Sequence, residues 1–254
     1  MQRLDMLLVE RGKAISRTKA QQLISEGRVM VHQSGGWVAV VKPGQKYPDS
    51  IELDVVWDES DCFVSRGGLK LAGAIEKSGA DFANAVVIDV GQSTGGFTDC
   101  ALQSGAAKVI GIEVGHGQLV PSLRDDPRVV CLEGMNARDL SRGLLNYTTD
   151  VKGFDFAVMD VSFISQTKIL PSLAPLLKPG GQLLSLVKPQ FEVGSAGIGK
   201  GGIVRDANLY PQVEQSIKSF CEKLGMTVKG YFDSSITGGD GNREFFIWAE
   251  KGAS

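Results

Sequence analysis

The chain has only two histidines, His32 and His116, and four scattered cysteines, at 62, 100, 131 and 221, that never form a Cys-x-x-Cys pair. That poverty argues against a metal site, whose ligands come largely from these two residue types. The cysteines read as reduced and buried. Also missing is any apolar run near the ~20 residues that cross a bilayer. No apolar core follows the amino-terminal Met-Gln-Arg-Leu-Asp-Met that would mark a secretion signal, and no tandem repeat or low-complexity tract occurs. A cytoplasmic protein is expected, with no metal and no membrane association. At 254 residues, 43% hydrophobic and 22% charged, the chain has room for one large domain or for a large and a small one.

The net charge of −2 conceals an asymmetry. Residues 1–46 hold eight Lys and Arg against three acids, a balance of +5, and the remainder holds 19 against 26, or −7. A basic module joined to an acidic one suits an anionic partner for the first part alone, although a solvated basic face would have the same composition. Within the first 60 residues, Leu4, Leu7 and Leu8 share one face of a short helix ending near Gly12. Ser16 is a good N-cap for a second helix, which carries Ala20, Leu23 and Ile24 and stops at Gly27. Strands are expected at 28–31, 37–41 and 51–56. The pattern Arg3-x-Asp-x-x-Leu-x-x-x-Gly, followed by Ser16-Arg-x-x-Ala-x-x-x-Ile-x-x-Gly-x-Val-x-Val, resembles the S4 RNA-binding domain of ribosomal and RNA-modifying proteins. The resemblance implies a module over 1–60 that grips structured RNA by shape and phosphate. Its candidate contacts are Arg3, Lys13, Arg17, Lys19 and Arg28, with Arg66 just beyond a linker at 61–66.

From residue 67 to 254 strands and helices alternate. Buried strands are expected at 86–89, 109–113, 129–132, 156–160 and 182–187, which means a parallel sheet with helices on both faces. Leu176-Leu-Lys-Pro-Gly-Gly reads as a helix end and turn. A helix over Asp206–Leu224 and strands at 227–233 and 244–250 follow, the last two as an antiparallel hairpin on the sheet edge. The most informative stretch is Val86-Val-Ile-Asp-Val-Gly-Gln-Ser-Thr-Gly-Gly-Phe-Thr-Asp, a buried strand, an acid and a glycine turn before a helix. Such a loop brings backbone N–H groups to a small ligand. Its glycines do not fall in the dinucleotide pattern G-x-G-x-x-G. Gly91-Gln-Ser-Thr-Gly is a literal hydrolase elbow, but that fold needs a histidine late in the chain, and none follows His116. An S-adenosylmethionine pocket fits better. Asp89 and the loop residues Gly91, Ser93, Thr94, Gly95, Gly96, Phe97 and Thr98 would hold the methionine part. Glu113, 24 residues on, would take the ribose hydroxyls beside Val114.

In open α/β sheets chemistry sits at the carboxyl ends of the strands. Asp160 ends Phe156-Ala-Val-Met-Asp, Lys188 ends Leu183-Leu-Ser-Leu-Val-Lys, Glu244 opens the last strand, and Lys70 opens the helix before the first. Two lysines and two acids around a methyl donor suit a ribose 2′-hydroxyl, a poor nucleophile that needs a base. A lysine can be that base only when burial and a second ammonium lower its pKa; two structural ion pairs would have the same residues.

The whole chain resembles the TlyA-type rRNA 2′-O-methyltransferases, often labelled haemolysin A, whose catalytic half is similar to the FtsJ/RrmJ ribose methyltransferases. The match rests on Ser65-Arg-Gly-Gly-Leu-Lys-Leu, Asp89-Val-Gly-Gln-Ser-Thr-Gly-Gly-Phe-Thr-Asp-Cys and Val114-Gly-x-Gly-Gln-Leu. Asp160-Val-Ser-Phe-Ile-Ser, Val187-Lys-Pro-Gln-Phe-Glu and Asn242-Arg-Glu-Phe complete it. The resemblance implies a Rossmann-like class I methyltransferase sheet, mostly parallel with an antiparallel last strand, behind a small α+β S4-like domain. It implies S-adenosylmethionine as cofactor and ribosomal RNA, in subunits or their precursors, as partner, with a cytidine as target. The family's Lys-Asp-Lys-Glu tetrad falls on Lys70, Asp160, Lys188 and Glu244, with Lys188 as base, Asp160 orienting it, and Lys70 and Glu244 positioning the ribose. Asn136 remains available for the adenine. The chain departs from the family at Glu113, where Asp is common, and at Glu133-Gly-Met-Asn-Ala-Arg. It departs also at Gln92, where a small residue is usual and whose longer side chain is expected to narrow the methionine end of the pocket. A membrane-active protein and a catalytically inactive RNA-binding assembly factor are the alternatives.

Overall fold

The computed structural model describes residues 1–14 and 16–253. The chain divides into two compact units, Met1–Cys62 and Phe63–Ser254. Residues 61–66, expected as a linker, are therefore shared out between them.

The first unit contains β1 (Gln2–Arg3), α1 (Leu4–Glu10), α2 (Arg17–Ser25), β2 (Val29–Gln33), β3 (Gly36–Val40), β4 (Lys46–Tyr47) and β5 (Leu53–Val55). Ser16 caps α2 as its residue type predicts, its hydroxyl accepting the Lys19 amide at 3.1 Å. Leu4, Leu7 and Leu8 of α1 and Ala20, Leu23 and Ile24 of α2 pack on Val29, Val31, Val40 and Val55 of an antiparallel sheet ordered β3-β2-β5. The two-residue ladder between β1 and β4 has no sequence signature of its own.

The second unit contains α3 (Gly67–Ser78), β6 (Val86–Val90), α4 (Gly96–Gln103), β7 (Lys108–Glu113), α5 (Pro121–Arg124), β8 (Val129–Glu133) and β9 (Phe154–Met159). It continues with α6 (Leu170–Leu173), β10 (Leu177–Val187), α7 (Leu209–Lys223), β11 (Met226–Asp233) and β12 (Phe245–Lys251). One seven-stranded sheet results, ordered β11-β12-β10-β9-β6-β7-β8. β12 alone runs against its neighbours. The central strands are continuous apolar runs because both of their faces are covered; Val87, Ile88, Val109 and Ile110 are all fully buried between two core clusters.

One expectation changes. Lys178-Pro-Gly-Gly is not a turn before the strand but an irregularity inside β10, where the register against β9 shifts between Leu177 and Gln182. The last two strands form the expected antiparallel hairpin on the sheet edge, with β12 inserted between β10 and β11 and β11 outermost. That insertion matters for the site. Val187 pairs with Phe245 in antiparallel register, so the residue after β10, Lys188, and the residue before β12, Glu244, lie side by side. Among the described residues no helix is long and apolar enough to cross a membrane.

The first unit has a buried charge that makes its stability pH-dependent. Asp61 is 2% exposed; burial pushes its carboxyl up, but the Asp58 amide, Lys19 and Arg28 outweigh that and hold it at about 2, below the usual 3.8. A depressed folded-state pKa stabilises the fold above the unfolded value and ceases to do so as pH falls through the folded one. Hydrogen exchange of this unit should therefore accelerate as pH drops from about 4 to about 2, after correction for intrinsic rates. Asp61→Asn should cost about 3 kcal/mol at pH 7 and flatten that dependence; an unchanged profile would count against the ion pair as its source.

Candidate active site

The loop after β6 is built around a carboxylate with nowhere to go. Asp89 is fully buried, and Thr98 Oγ1 donates to its Oδ2 at 2.7 Å, while Oδ1 has no protein partner. Burial pushes its pKa up to about 7; the Thr98 hydrogen bond resists, and the carboxylates of Asp160 and Glu113 add to the rise. The next residue but one, Gly91, has φ +83°, and a Cβ there would lie 2.3 Å from the Asp160 carbonyl oxygen. Only glycine lets the two strand-end backbones approach this closely. Gly96 opens α4 in a similar squeeze, since a Cβ would meet the Gly68 nitrogen at 2.9 Å. Glu113 braces the loop from β7: its Oε2 accepts from the Ser93 amide and its Oε1 from the Gly115 amide, both at 2.8 Å.

Three cavities sharing residues run along this end of the sheet. One of about 550 Å3 is lined by Gly91, Ser93, Glu113, Val114, Asn136 and Asp160 among others, a volume within the usual range for a small-molecule site. The glycine cradle at 91 fits S-adenosylmethionine, while Asp89, fully buried with one carboxylate oxygen unpartnered, lines none of the three cavities itself. Asn136 Oδ1 already accepts from the Arg138 amide at 3.0 Å. Of the remaining cofactor candidates, Thr94, Gly96 and Phe97 line an adjoining cavity of about 360 Å3 with Arg66 and Lys70. Gly95 and Thr98 are buried under the loop, so Thr98 acts only through Asp89.

The four tetrad residues come together as two ion pairs. Lys188 Nζ lies 2.5 Å from Asp160 Oδ1 and donates to Ser162 Oγ at 3.0 Å. Lys70 Nζ lies 2.6 Å from Glu244 Oε2. Burial pushes the Glu244 carboxyl up, against the pull of Lys70 and Lys188. Lys70, Lys188 and Glu244 line the third cavity, of about 520 Å3, with Ser162 and Phe163. Lys70 and Lys188 also line the 360 Å3 cavity, and Asp160 lines both that one and the 550 Å3 cavity. The tetrad thus stands where the three cavities share their lining.

Three supports escape sequence reasoning. Besides Ser162, Glu192 joins the loop after β10 to that after β9, accepting from Ser165 Oγ at 2.6 Å and the Gln166 amide at 2.9 Å. Asn242, 1% exposed, receives the Val204 amide and donates to Gly202 O and Asp240 Oδ2, tying the 199–204 loop to the one that ends in Glu244. Both lie in the quoted motifs, but no spacing says which loops they join.

In the first unit the expected RNA contacts are each paired with a carboxylate, at side-chain exposures from 15% for Arg28 to 56% for Arg17. Arg3 and Arg17 both bind the buried Asp5, and Lys13 pairs with Asp54 at 3.7 Å. Lys19 lies 2.8 Å from Asp61, and Arg28 meets Asp61 and Asp58. Lys19 and Arg28 are thus internal ion-pair partners and not free surface charge, whereas Lys42 and Lys46, given no role above, are exposed. Arg66 is exposed at the 360 Å3 cavity.

A sheet of this order, reversed only at β12, with a glycine loop after its first strand and an acid ending its second, defines a class I S-adenosylmethionine-dependent methyltransferase. A solved enzyme of that class from Mesorhizobium loti shares the fold, with a TM-score of 0.52 at 12% identity over 72% of this chain and 98% of its own. The chain belongs to the FtsJ-like methyltransferase family, whose model matches residues 63–251, and the S4 domain matches residues 2–31. The 16S/23S rRNA (cytidine-2′-O)-methyltransferase TlyA of Mycobacterium tuberculosis is 40% identical over 97% of this chain and 88% of its own length. Hemolysin A of Brachyspira hyodysenteriae is 38% identical over 96% and 97%. A solved structure from Streptococcus thermophilus described as a hemolysin has a TM-score of 0.74 at 40% identity, covering 100% of this chain and 89% of that one. The cofactor of this chain is S-adenosylmethionine and its substrate is RNA.

Gly91→Ala drives a methyl group into the Asp160 carbonyl at a left-handed backbone position, a strain of about 1–3 kcal/mol. Calorimetric titration should show affinity for S-adenosylmethionine falling by about tenfold or more. Wild-type affinity would mean that the close approach at Gly91 does not shape the cofactor site.

Proposed function

We propose that the chain methylates a ribose 2′-hydroxyl of ribosomal RNA, in a subunit or its precursor, with a cytidine as the target nucleoside. The observation that carries the reading is the pair of lysine–carboxylate contacts, at 2.5 and 2.6 Å, gathered where the three cavities share their lining. The name printed for the M. tuberculosis relative supports the 2′-oxygen of cytidine.

When bound, S-adenosylmethionine supplies an electrophilic methyl group on a sulfonium. The 2′-oxygen forms the new bond to that carbon as the carbon–sulfur bond breaks. Lys188, an ammonium in the resting ion pair, first loses a proton to solvent; its neutral Nζ then takes the hydroxyl proton, a general-base role worth about 100- to 10,000-fold. Asp160 and Ser162 hold the amine in place, since both contact Nζ and both sit on the same strand-end turn. Lys70 and Glu244, facing the same cavity, offer a donor and an acceptor to the ribose hydroxyls. A paired arrangement suits burial, because each ammonium lies against a carboxylate and neither charge is stranded in the protein. The S4 unit contributes recognition of folded RNA by shape.

Lys188→Ala should reduce methylation of ribosomal RNA by about 100-fold or more, while affinity for S-adenosylmethionine stays within about threefold. Mapping 2′-O-methyl sites in RNA from cells with and without the gene identifies the nucleotide. Near wild-type methylation by the variant would overturn the base assignment, and a missing modification anywhere but on a ribose would overturn the reaction.

A further inference from the structure

Gln92 lines the 360 Å3 cavity, and its side chain has in addition an engagement that its length alone does not suggest. The side chain turns down into the protein, 2% exposed, and Nε2 donates to Thr98 Oγ1 at 2.9 Å. Thr98 in turn donates to Asp89. Because the hydroxyl oxygen already receives the amide proton, its own proton is directed to the carboxylate, which is the polar relay a buried acid needs. The side chain fits only because of a residue on the next strand. Gly111 is the β7 partner of Asp89 in the sheet register, and a Cβ there would lie 2.0 Å from Gln92 Cδ and 2.1 Å from both of its terminal atoms. Neither position is special by itself: φ at Gly111 is not left-handed, so its glycine is explained by space and not by backbone geometry.

We propose that Gln92 is a positioning residue for cofactor binding, acting through Thr98 on Asp89, and that Gly111 is its matched counterpart. The inference rests on the reading of Asp89 as the acid of the cofactor loop. Two acceptors along the relay, Asp89 Oδ1 and Gln92 Oε1, are buried without a protein partner. Gln92 also lines the 360 Å3 cavity beside the loop. Two unfilled acceptors call for a donor, and the ammonium of the methionine moiety has that chemistry. The groups that face Asp89 are Thr98 from α4, Asp160 from the end of β9 and Glu113 from the end of β7. Only Thr98 favours its charged form, so loss of the relay shifts its ionisation toward higher pH.

The test is calorimetric titration of full-length protein with S-adenosylmethionine across pH 5.5–9, for wild type, Q92L, G111A, Q92A, Q92A/G111A and D89N. Q92L keeps volume and removes the amide. It should weaken binding by about tenfold and move the pH midpoint of affinity upward, which a merely structural loss would leave in place. G111A should weaken binding in the presence of Gln92 and cost nothing further in the Q92A background. The double variant keeps the test decisive if G111A alone fails to fold. Wild-type affinity and midpoint in Q92L, or an equal cost of G111A in both backgrounds, would overturn the proposal. D89N binding as well as wild type would overturn the Asp89 reading beneath it, whereas weakened D89N beside an unaffected Q92L would overturn the relay alone.

Discussion

The catalytic unit depends on one close backbone approach, the passage of Gly91 against the carbonyl of Asp160. β6 and β9 are neighbours in the sheet, and the Asp160 amide still donates to Val90 O at 3.0 Å after β9 has ended. That last rung fixes the acid paired with Lys188 relative to the glycine loop that borders the cavities. Everything else at the site is referenced to it: Lys188 through its ion pair, Ser162 through the same turn, and Glu244 through the register of β12 on β10. A side chain at 91 would separate the two strand ends and, with them, donor and acceptor.

Much of this was legible in the chain. The central strands announce themselves because parallel strands covered on both faces must be apolar throughout, and Val86–Ile88 and Val109–Ile112 contain nothing else but the glycine at 111. Asp160 and Lys188 stand out because each ends such a run and Glu244 because it opens one, whereas Lys70 lies in a helix and joined them only through the family resemblance. What failed was whatever depended on a partner distant in sequence. Lys178-Pro-Gly-Gly looks like a turn by local chemistry, yet pairing with β9 draws it into a strand. Lys19 and Arg28 look like surface charge because Asp61 lies more than thirty residues downstream. The engagement of Gln92 with Thr98 escapes because nothing near it says that Gly111 leaves room for the side chain.

Electrostatics at the site are balanced by design of the fold. Two ammoniums and two carboxylates occupy a few ångströms of a largely enclosed surface, and the sheet brings them in as pairs from different elements: α3 with the residue before β12, and the turn after β9 with that after β10. Burial of Glu244 raises the cost of its charge, and Lys70 is the group that offsets it. Both acids in the pairs are thereby kept as acceptors beside lysines that are held rigidly, and rigidity at the strand ends is what a proton transfer in a small cavity requires.

The ion pairs of the first unit have a consequence for how it can meet a polyanion. A nucleic acid releases its condensed counterions as cations of the protein neutralise its phosphates; Arg3, Arg17, Lys19 and Arg28 already have carboxylates as neighbours. Those four can neutralise phosphate only in competition with their carboxylates, whereas the exposed Lys42 and Lys46 stand outside these pairs. The excess of positive charge counted along the sequence therefore overstates the charge this surface has to offer a polyanion.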